Sequence, residues 1–290
     1  MIWQLVSIVF PIFAIVAMGF WYGRRHLPDM AAANKLNIDV FVPALIFDVL
    51  TGHSFDIAQF QTLALAALAV VLGSALLAWP VARMLGYEFR TFGPLMMFNN
   101  SGNMGLLLAI FAFGEHALAA AVVLFLVENT LHFSVGMKII NRQASLLGMF
   151  RIPMIYISVA GLVVSLAGWQ VPELLATPIR MLGQISIPLM LFALGVRLIH
   201  VDWKDWKIGV AGAVVSPLSG LMIALPLSWA LDLPPLQNAM LIVFSALPPA
   251  VLNYMVAERY DQQPQLVASI VLLGNMASVL VIPLVLAFVL

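Results

Sequence analysis

The segment FNNSGNMG, residues 98–105, decides the fold of this chain, because it places five consecutive polar or glycine residues inside a long apolar stretch. A second interruption is SALPPAVLN, residues 245–253, which carries two adjacent prolines. Asn and Ser compete for backbone hydrogen bonds and glycine is a poor helix former. Proline removes a backbone donor and clashes with the preceding helical turn. Both segments are therefore predicted to be non-helical breaks in otherwise apolar helices.

The composition of the whole chain is that of a membrane protein. Of its 290 residues, 63% are hydrophobic and 9% are charged, and the mean hydropathy is +1.06. These values exclude a soluble enzyme, because soluble domains are roughly 25% charged. Equal numbers of basic and acidic residues, 13 each, leave no basic excess for binding nucleic acid. The chain has no cysteine and no phosphate-binding glycine loop, so we expect no metal–thiolate site and no cofactor.

Apolar stretches separated by polar residues predict an all-α integral membrane protein with ten transmembrane helices, because one span needs about 20 apolar residues. The predicted spans cover residues 2–22, 33–50, 60–84, 92–113, 117–140, 152–169, 173–199, 208–231, 236–257 and 265–289. Residues 98–105 and 245–253 then lie within spans four and nine.

The basic residues are predicted to lie almost entirely on one side of the membrane. When the connections between spans alternate sides, Arg180 is the one residue of the 13 Lys and Arg that falls opposite the others. Basic loops stay in the cytoplasm. The sequence therefore predicts a multi-pass protein of the cell inner (cytoplasmic) membrane with both termini outside.

Short matches half a chain apart indicate an internal repeat. Three pairs of segments match at offsets of 145 or 146 residues: 43–47 with 188–192, 98–99 with 244–245, and 127–129 with 273–275. Chance is the alternative, since apolar sequences match easily. Because five is an odd number of spans, two five-span halves would be inverted relative to each other. We therefore predict a first repeat at residues 1–145 and an inverted second repeat at residues 146–290.

The two breaks occupy equivalent places in the two halves, which is the pattern that points to a transport site near the middle of the membrane. Irregular backbone at that depth survives only around a protein-lined or wet cavity. A proline kink with a small-residue packing face is the alternative. The predicted substrate-binding residues are Asn99, Asn100, Ser101, Gly102, Asn103, Pro248, Pro249 and Asn253.

Span five carries an ionisable pair near its middle. Glu128 and His132 are four residues apart and therefore share a helix face, and Asn129 is adjacent. An ionisable residue inside a membrane is costly and marks function by default. We predict that Glu128 loads and releases a proton, with His132 as its relay partner. A neutral Glu128 that serves helix packing is the alternative.

Three stretches resemble the auxin efflux carrier family, within the larger group that includes bile acid–sodium symporters. They are residues 37–47, which begin at Asn37 and contain VPALIF at 42–47, NMG at 103–105 with the Phe-Gly pair at 113–114, and LPPA at 247–250 running to AERY at 257–260. The resemblance covers most of the chain. The sequence departs from the family pattern after Gly105, where Leu106 stands in place of the usual proline.

The resemblance implies ten helices in two inverted repeats, with spans four and nine crossing as broken helices. It also implies a transport core of spans three to five and eight to ten, and a scaffold of spans one, two, six and seven that often forms a homodimer surface. Family members carry organic anions, such as auxin in plants and malonate or malate in bacteria.

Together these observations predict a secondary active transporter of a small organic anion, linked to protons or electrogenic. A sodium-coupled symporter is one alternative, and a cation–proton antiporter of the same fold is another. The antiporter would need carboxylates in the crossing segments, and residues 98–105 and 244–253 contain none. A membrane receptor is a third alternative, which the short connections between spans disfavour.

Overall fold

The computed structural model describes residues 2–52, 57–143, 153–197, 199 and 205–290. The described residues are helical throughout, apart from turns and one isolated bridge between Asn99 and Pro249. An all-α membrane protein was predicted from the sequence, and the α-helical class is confirmed. The predicted boundary between the two halves, at residues 145 and 146, lies outside the described residues.

The described residues form 14 α-helices, several of which join end to end within one apolar stretch. Their bounds are α1 Ile2–His26, α2 Ala31–Leu36, α3 Val42–Thr51, α4 Gln61–Leu85, α5 Phe89–Met97, α6 Leu106–Phe113, α7 Leu118–Leu131, α8 Met137–Ile140, α9 Pro153–Leu166, α10 Glu173–Arg197, α11 Trp206–Ala230, α12 Pro235–Ser245, α13 Val251–Arg259 and α14 Pro264–Val289. Three π-helical turns connect neighbouring helices: Asn37–Phe41, Ser101–Gly105 and His132–Gly136.

Five helices of the described chain are long and apolar enough to cross a membrane. They are Ala58–Leu85, Glu115–Ile140, Glu173–Val196, Trp206–Ala230 and Pro264–Val289. Each is at least 24 residues long and contains a window of 18 residues with high mean hydropathy and at most two charged residues, which is close to the length that a membrane crossing requires. The remaining predicted spans also fall on helical segments. The first lies on the continuous helix α1, the second and sixth lie on shorter helices, and the fourth and ninth are interrupted within residues 98–105 and 245–253. The chain is a multi-pass membrane protein, and the full count of ten spans stays a prediction.

The helices pack in two groups. In one group α1 packs along α10, and α3 packs against α9 and α10. In the other, α4 packs against α5, α7 and α11, and α11 packs along α14. The helices of the predicted scaffold therefore contact chiefly each other, and so do the helices of the predicted transport core. Whether the two groups move as separate bodies stays a prediction.

The contact between α1 and α10 depends on a glycine. A Cβ atom at Gly195 would overlap the carbonyl oxygen of Val16 and lie 2.7 Å from the backbone nitrogen of Phe20. Small residues let helix backbones approach in membranes, where van der Waals contact is the main attraction between helices. The first group of helices is therefore closely packed at its centre.

Replacing Gly195 by alanine should force α1 and α10 apart. We expect the variant to lose about 1–3 kcal/mol of stability, the usual cost of inserting a methyl group into a closely packed contact. The measurement is the midpoint of thermal unfolding in detergent. Met181→Ala is the control, because that side chain on α10 is 63% exposed. An unchanged midpoint for Gly195→Ala would show that the backbones do not approach this closely.

Candidate transport site

The two predicted breaks meet face to face. Helix α5 ends at Met97 and helix α12 ends at Ser245. At each break the chain becomes helical again only after a short non-helical stretch. The backbone nitrogen of Asn100 donates to the carbonyl oxygen of Pro248 at 2.6 Å, and that of Ala250 donates to Phe98 at 3.0 Å. These two bonds form an antiparallel bridge between the breaks. They satisfy backbone groups that no lipid could satisfy.

Side-chain amides complete the bridge. The Nδ2 of Asn253 donates to the carbonyl oxygen of Phe98 at 2.9 Å, and the Nδ2 of Asn99 donates to the carbonyl oxygen of Phe244. Each amide therefore reaches from one break to the backbone of the other. Asn253 is almost fully buried in this role.

A third amide comes from α14, and the sequence analysis did not assign it to the site. Asn275 Oδ1 accepts a hydrogen bond from Asn100 Nδ2 at 2.9 Å, and Asn275 Nδ2 donates to the carbonyl oxygen of Pro249 at 3.1 Å. Its neighbour Gly274 allows this approach, because a Cβ atom there would lie 2.6 Å from Cδ of Pro249. The signal available in the sequence was an amide in the middle of an apolar span.

Beside the crossing lies a cavity of about 140 Å³ that brings most of the predicted site residues together. Of the predicted substrate-binding residues, it is lined by Asn99, Asn100, Ser101, Gly102 and Asn103. The predicted coupling residues Glu128, Asn129 and His132 line it as well. Pro248, Pro249 and Asn253 do not. Their carbonyl or amide groups hold the crossing together instead.

Two helix N-termini open onto this cavity. One begins the helical segment Ser101–Phe113, whose first residues 101–103 all line the cavity. The other begins α13, whose residues Val251 and Leu252 line it from the opposite break. The amide N–H groups of a first helical turn have no acceptor within the helix. The cavity is therefore bordered by free backbone donors and by the positive ends of two helix dipoles.

Glu128 lies against the first break. Its side chain is 5% exposed, and its carboxyl group faces the Ser101 hydroxyl group and the Asn99 backbone. An acidic group therefore does lie at the crossing, although neither crossing segment contains one. Span five supplies it.

His132 is placed differently from the predicted relay. Its ring stacks on the ring of Phe98, with centroids 4.3 Å apart and planes 3° from parallel. In the described residues no hydrogen bond joins the side chains of Glu128 and His132, and no cluster of three His, Asp or Glu side chains could hold a metal ion.

The other helix group also contributes to the lining. Asn37, in the π-helical turn before α3, is 4% exposed and borders the cavity with Asn34. Asn37 was not among the predicted site residues and was noted only as the first residue of the stretch 37–47 that resembles the family. Its polar character in an apolar span was the signal that could have singled it out.

A larger cavity of about 790 Å³ adjoins the small one. Asn34, Ile38, Leu194, Val251 and Met255 line both. The larger cavity is also bordered by Glu258 and by the Lys35–Asp39 ion pair, whose N–O distance is 2.6 Å. These charged residues belong to the span ends that were predicted to face the cytoplasm. The small cavity therefore adjoins the larger one at the end of the helices that carries these charged residues.

Comparison with known proteins identifies relatives over nearly the whole chain. A family model described as "Membrane transport protein" matches residues 5–147 and 142–286. An uncharacterized transporter of Methanocaldococcus jannaschii is 23% identical over 301 residues, which cover 96% of this chain and 97% of the relative. A putative malonate transporter of Rhizobium meliloti is 26% identical over 305 residues, covering 95% of this chain and 93% of the relative. An uncharacterized transporter of Escherichia coli K12 is 23% identical, with 87% of each chain covered.

The amide bridge from α14 should couple energetically to the first break. Asn275→Leu leaves the Asn100 amide and the Pro249 carbonyl unpaired, and we expect it to cost about 1–3 kcal/mol of stability. In the Asn275→Leu variant, the further substitution Asn100→Leu should lower the stability much less than Asn100→Leu does in the wild type, because the two side chains share one hydrogen bond. Thermal unfolding of the two single variants and the double variant measures this coupling. Strictly additive losses would contradict the bond.

Proposed function

The chain belongs to the membrane transport protein family, and we propose that it is a secondary active transporter that carries a small organic anion across the cytoplasmic membrane by alternating access. The observation that carries the proposal is the convergence of two helix N-termini on one cavity at the crossing of two broken helices. No Lys or Arg is among the described residues that line this cavity. Backbone amides and helix dipoles are therefore the available partners for a negative charge.

The chemistry of the cavity suits a carboxylate group. The N–H groups of residues 101–103 and of Val251 and Leu252 are hydrogen-bond donors, and a carboxylate accepts several hydrogen bonds from backbone amides. The cavity volume of about 140 Å³ favours an acid with few carbon atoms. The relative named as a putative malonate transporter supports the same class of substrate.

The position of Glu128 supports proton coupling. The buried carboxyl group faces Ser101 and Asn99, two residues that border the proposed substrate position. Binding of an anion beside an ionised carboxylate is disfavoured by like-charge repulsion, so substrate and proton would bind together. Proton-linked transport is our proposal. A sodium-coupled symporter and a cation–proton antiporter remain the alternatives, and the acidic group at the crossing is the observation that keeps the antiporter among them.

We extend the proposal to the architecture. Two inverted five-helix repeats would place both termini outside, and the first helix group, with α1, α3, α9 and α10, would be the scaffold and the homodimer surface. The second group would be the moving core. The large cavity beside Lys35 and Glu258 then corresponds to a state that is open to the cytoplasm.

Purified protein in liposomes should take up small carboxylates. We expect malonate or another short mono- or dicarboxylate to accumulate, and the same acid to raise the unfolding temperature, because a ligand that binds only the folded state stabilises it. Protein-free liposomes are the control. If no member of a panel of such acids is transported or raises the unfolding temperature, the proposed function is wrong.

Replacing Glu128 by glutamine should remove the dependence of transport on pH. In the wild type we expect uptake to increase as the proton concentration rises on the side of uptake, because Glu128 must gain a proton together with the substrate. The glutamine side chain of the variant is permanently neutral, so its pH profile should be flat. Initial rates across a pH series, with sodium replaced by choline, measure both effects.

Glu173→Gln is the matched control, because Glu173 is 74% exposed at the start of α10 and contacts Arg180 rather than the cavity. Its pH profile should match that of the wild type. A strict sodium requirement in the wild type, or an unchanged profile for Glu128→Gln, would exclude proton coupling through this residue.

A further inference from the structure

The small and the large cavity share a boundary that is almost entirely apolar. Five of the described residues border both cavities: Asn34, Ile38, Leu194, Val251 and Met255. Four of the five have apolar side chains, and two of these, Leu194 and Val251, are buried. Asn34 is polar, but its amide carries no charge. The four apolar residues are called the apolar boundary below.

Charged side chains lie on either side of the apolar boundary and not within it. Lys35, Asp39 and Glu258 border the large cavity and are absent from the described lining of the small one. Glu128 borders the small cavity and is absent from the described lining of the large one. A proton or an anion that moves from one cavity to the other through their shared boundary therefore meets no charged side chain there.

Helix α13 leads from one cavity to the other. It begins beside the crossing with Val251, and Met255 follows about one turn later on the same face. Glu258, near the end of the helix, borders only the large cavity among the two. The distance from Val251 to Met255 corresponds to about 6 Å along a helix axis. The apolar boundary is therefore thin, and a small displacement is enough to open it.

Both helix groups contribute to the apolar boundary. Ile38 lies in the π-helical turn that packs on α10, and Leu194 lies on α10 itself, in the first group. Val251 and Met255 lie on α13, which packs against α5 and α14 of the second group. A shift of one group relative to the other would therefore move one half of the boundary away from the other half.

An apolar constriction is a barrier to charged species. Hydrophobic constrictions gate channels by excluding water, and a charge without water in an apolar environment inside a membrane is costly. A coupled carrier needs such a barrier beside its site. A proton that exchanged freely between Glu128 and the large cavity would not have to bind together with a substrate.

We propose that Ile38, Leu194, Val251 and Met255 form a hydrophobic gate, which closes the candidate transport site to charged species from the large cavity until the two helix groups shift. The inference rests on the proposed function and adds to it the barrier that keeps transport coupled. It concerns passage between the two cavities and does not depend on which acid is carried.

Single cysteines measure access to each cavity, because the chain has no cysteine of its own. Asn103→Cys lies in the lining of the small cavity and Ala268→Cys in that of the large one, and both positions are half-buried. The reagent is 2-sulfonatoethyl methanethiosulfonate, which is negatively charged and does not cross membranes. In inverted membrane vesicles, which expose the cytoplasmic face, it should label Ala268→Cys at least about tenfold faster than Asn103→Cys. Labelling of the denatured proteins gives the reference rates.

A polar substitution in the gate should open it. Met255→Gln keeps the length of the side chain and adds an amide that can hold water, so labelling of the Asn103→Cys protein should become several-fold faster. Met255→Leu preserves the apolar character and nearly the volume, and it should leave the rate unchanged. Leu272→Gln is the matched control, because Leu272 borders the large cavity and not the small one. It should also leave the rate unchanged.

The outcomes separate the gate from the proposed function, because labelling needs no substrate. Equal rates for Ala268→Cys and Asn103→Cys would overturn the gate, and so would a rate for Asn103→Cys that Met255→Gln does not raise. Carboxylate uptake can stand in either case. If no carboxylate is transported but Met255→Gln opens access to Asn103→Cys, the gate stands and the proposed substrate class fails. If Met255→Gln does not fold, Ile38→Thr takes its place from the other helix group, with the same expected result.

Discussion

The structure depends on one constraint: backbone groups that are released where two apolar helices break must find their hydrogen bonds within the protein. Lipid offers none. The breaks meet this requirement by pairing with each other, through Asn100 with Pro248 and Ala250 with Phe98. The buried amide of Asn275 donates to the carbonyl oxygen of Pro249, and that of Asn253 gives the carbonyl oxygen of Phe98 a second hydrogen bond. Neither break would be stable alone, because each half of the chain supplies hydrogen-bond partners for the backbone groups of the other.

The same pairing creates the site. Because the bridge uses Asn100 and Ala250 as donors, the helices that follow begin immediately beside it. Their first residues line the cavity, and the N–H groups of a first helical turn have no acceptor within the helix. Span five then brings Glu128 against the first break. The pairing of the two breaks thus places two helix N-termini next to an acidic group. No basic side chain is needed at the centre of the membrane, where it would be costly.

Much of this could be predicted from the sequence, since composition and period are local properties. The α-helical membrane class, the two breaks and the cavity residues 99–103 follow from runs of apolar residues and their polar interruptions. The contacts that could not be predicted are those between side chains on different spans, because they depend on which helices pack against each other. That Asn253 was predicted to contact substrate stays a prediction, and its hydrogen bond to Phe98 across the crossing could not be foreseen. The spacing of Glu128 and His132 indicated a shared face, but it gave no sign that Phe98 would stack on the histidine ring. Asn37 and Asn275 acquire their roles only through contacts with distant spans.

The close contact between Gly274 and Pro249 has a consequence for where a proton can bind. Gly274 is 146 residues after Glu128, the offset at which the two halves of the sequence match. A carboxylate side chain at that position is excluded by the proline ring, because even a Cβ atom would lie 2.6 Å from it. The proline ring at position 249 therefore excludes an acidic residue at position 274. In the proposed proton-linked cycle, Glu128 would therefore bind its proton without a matching carboxyl group at position 274 of α14.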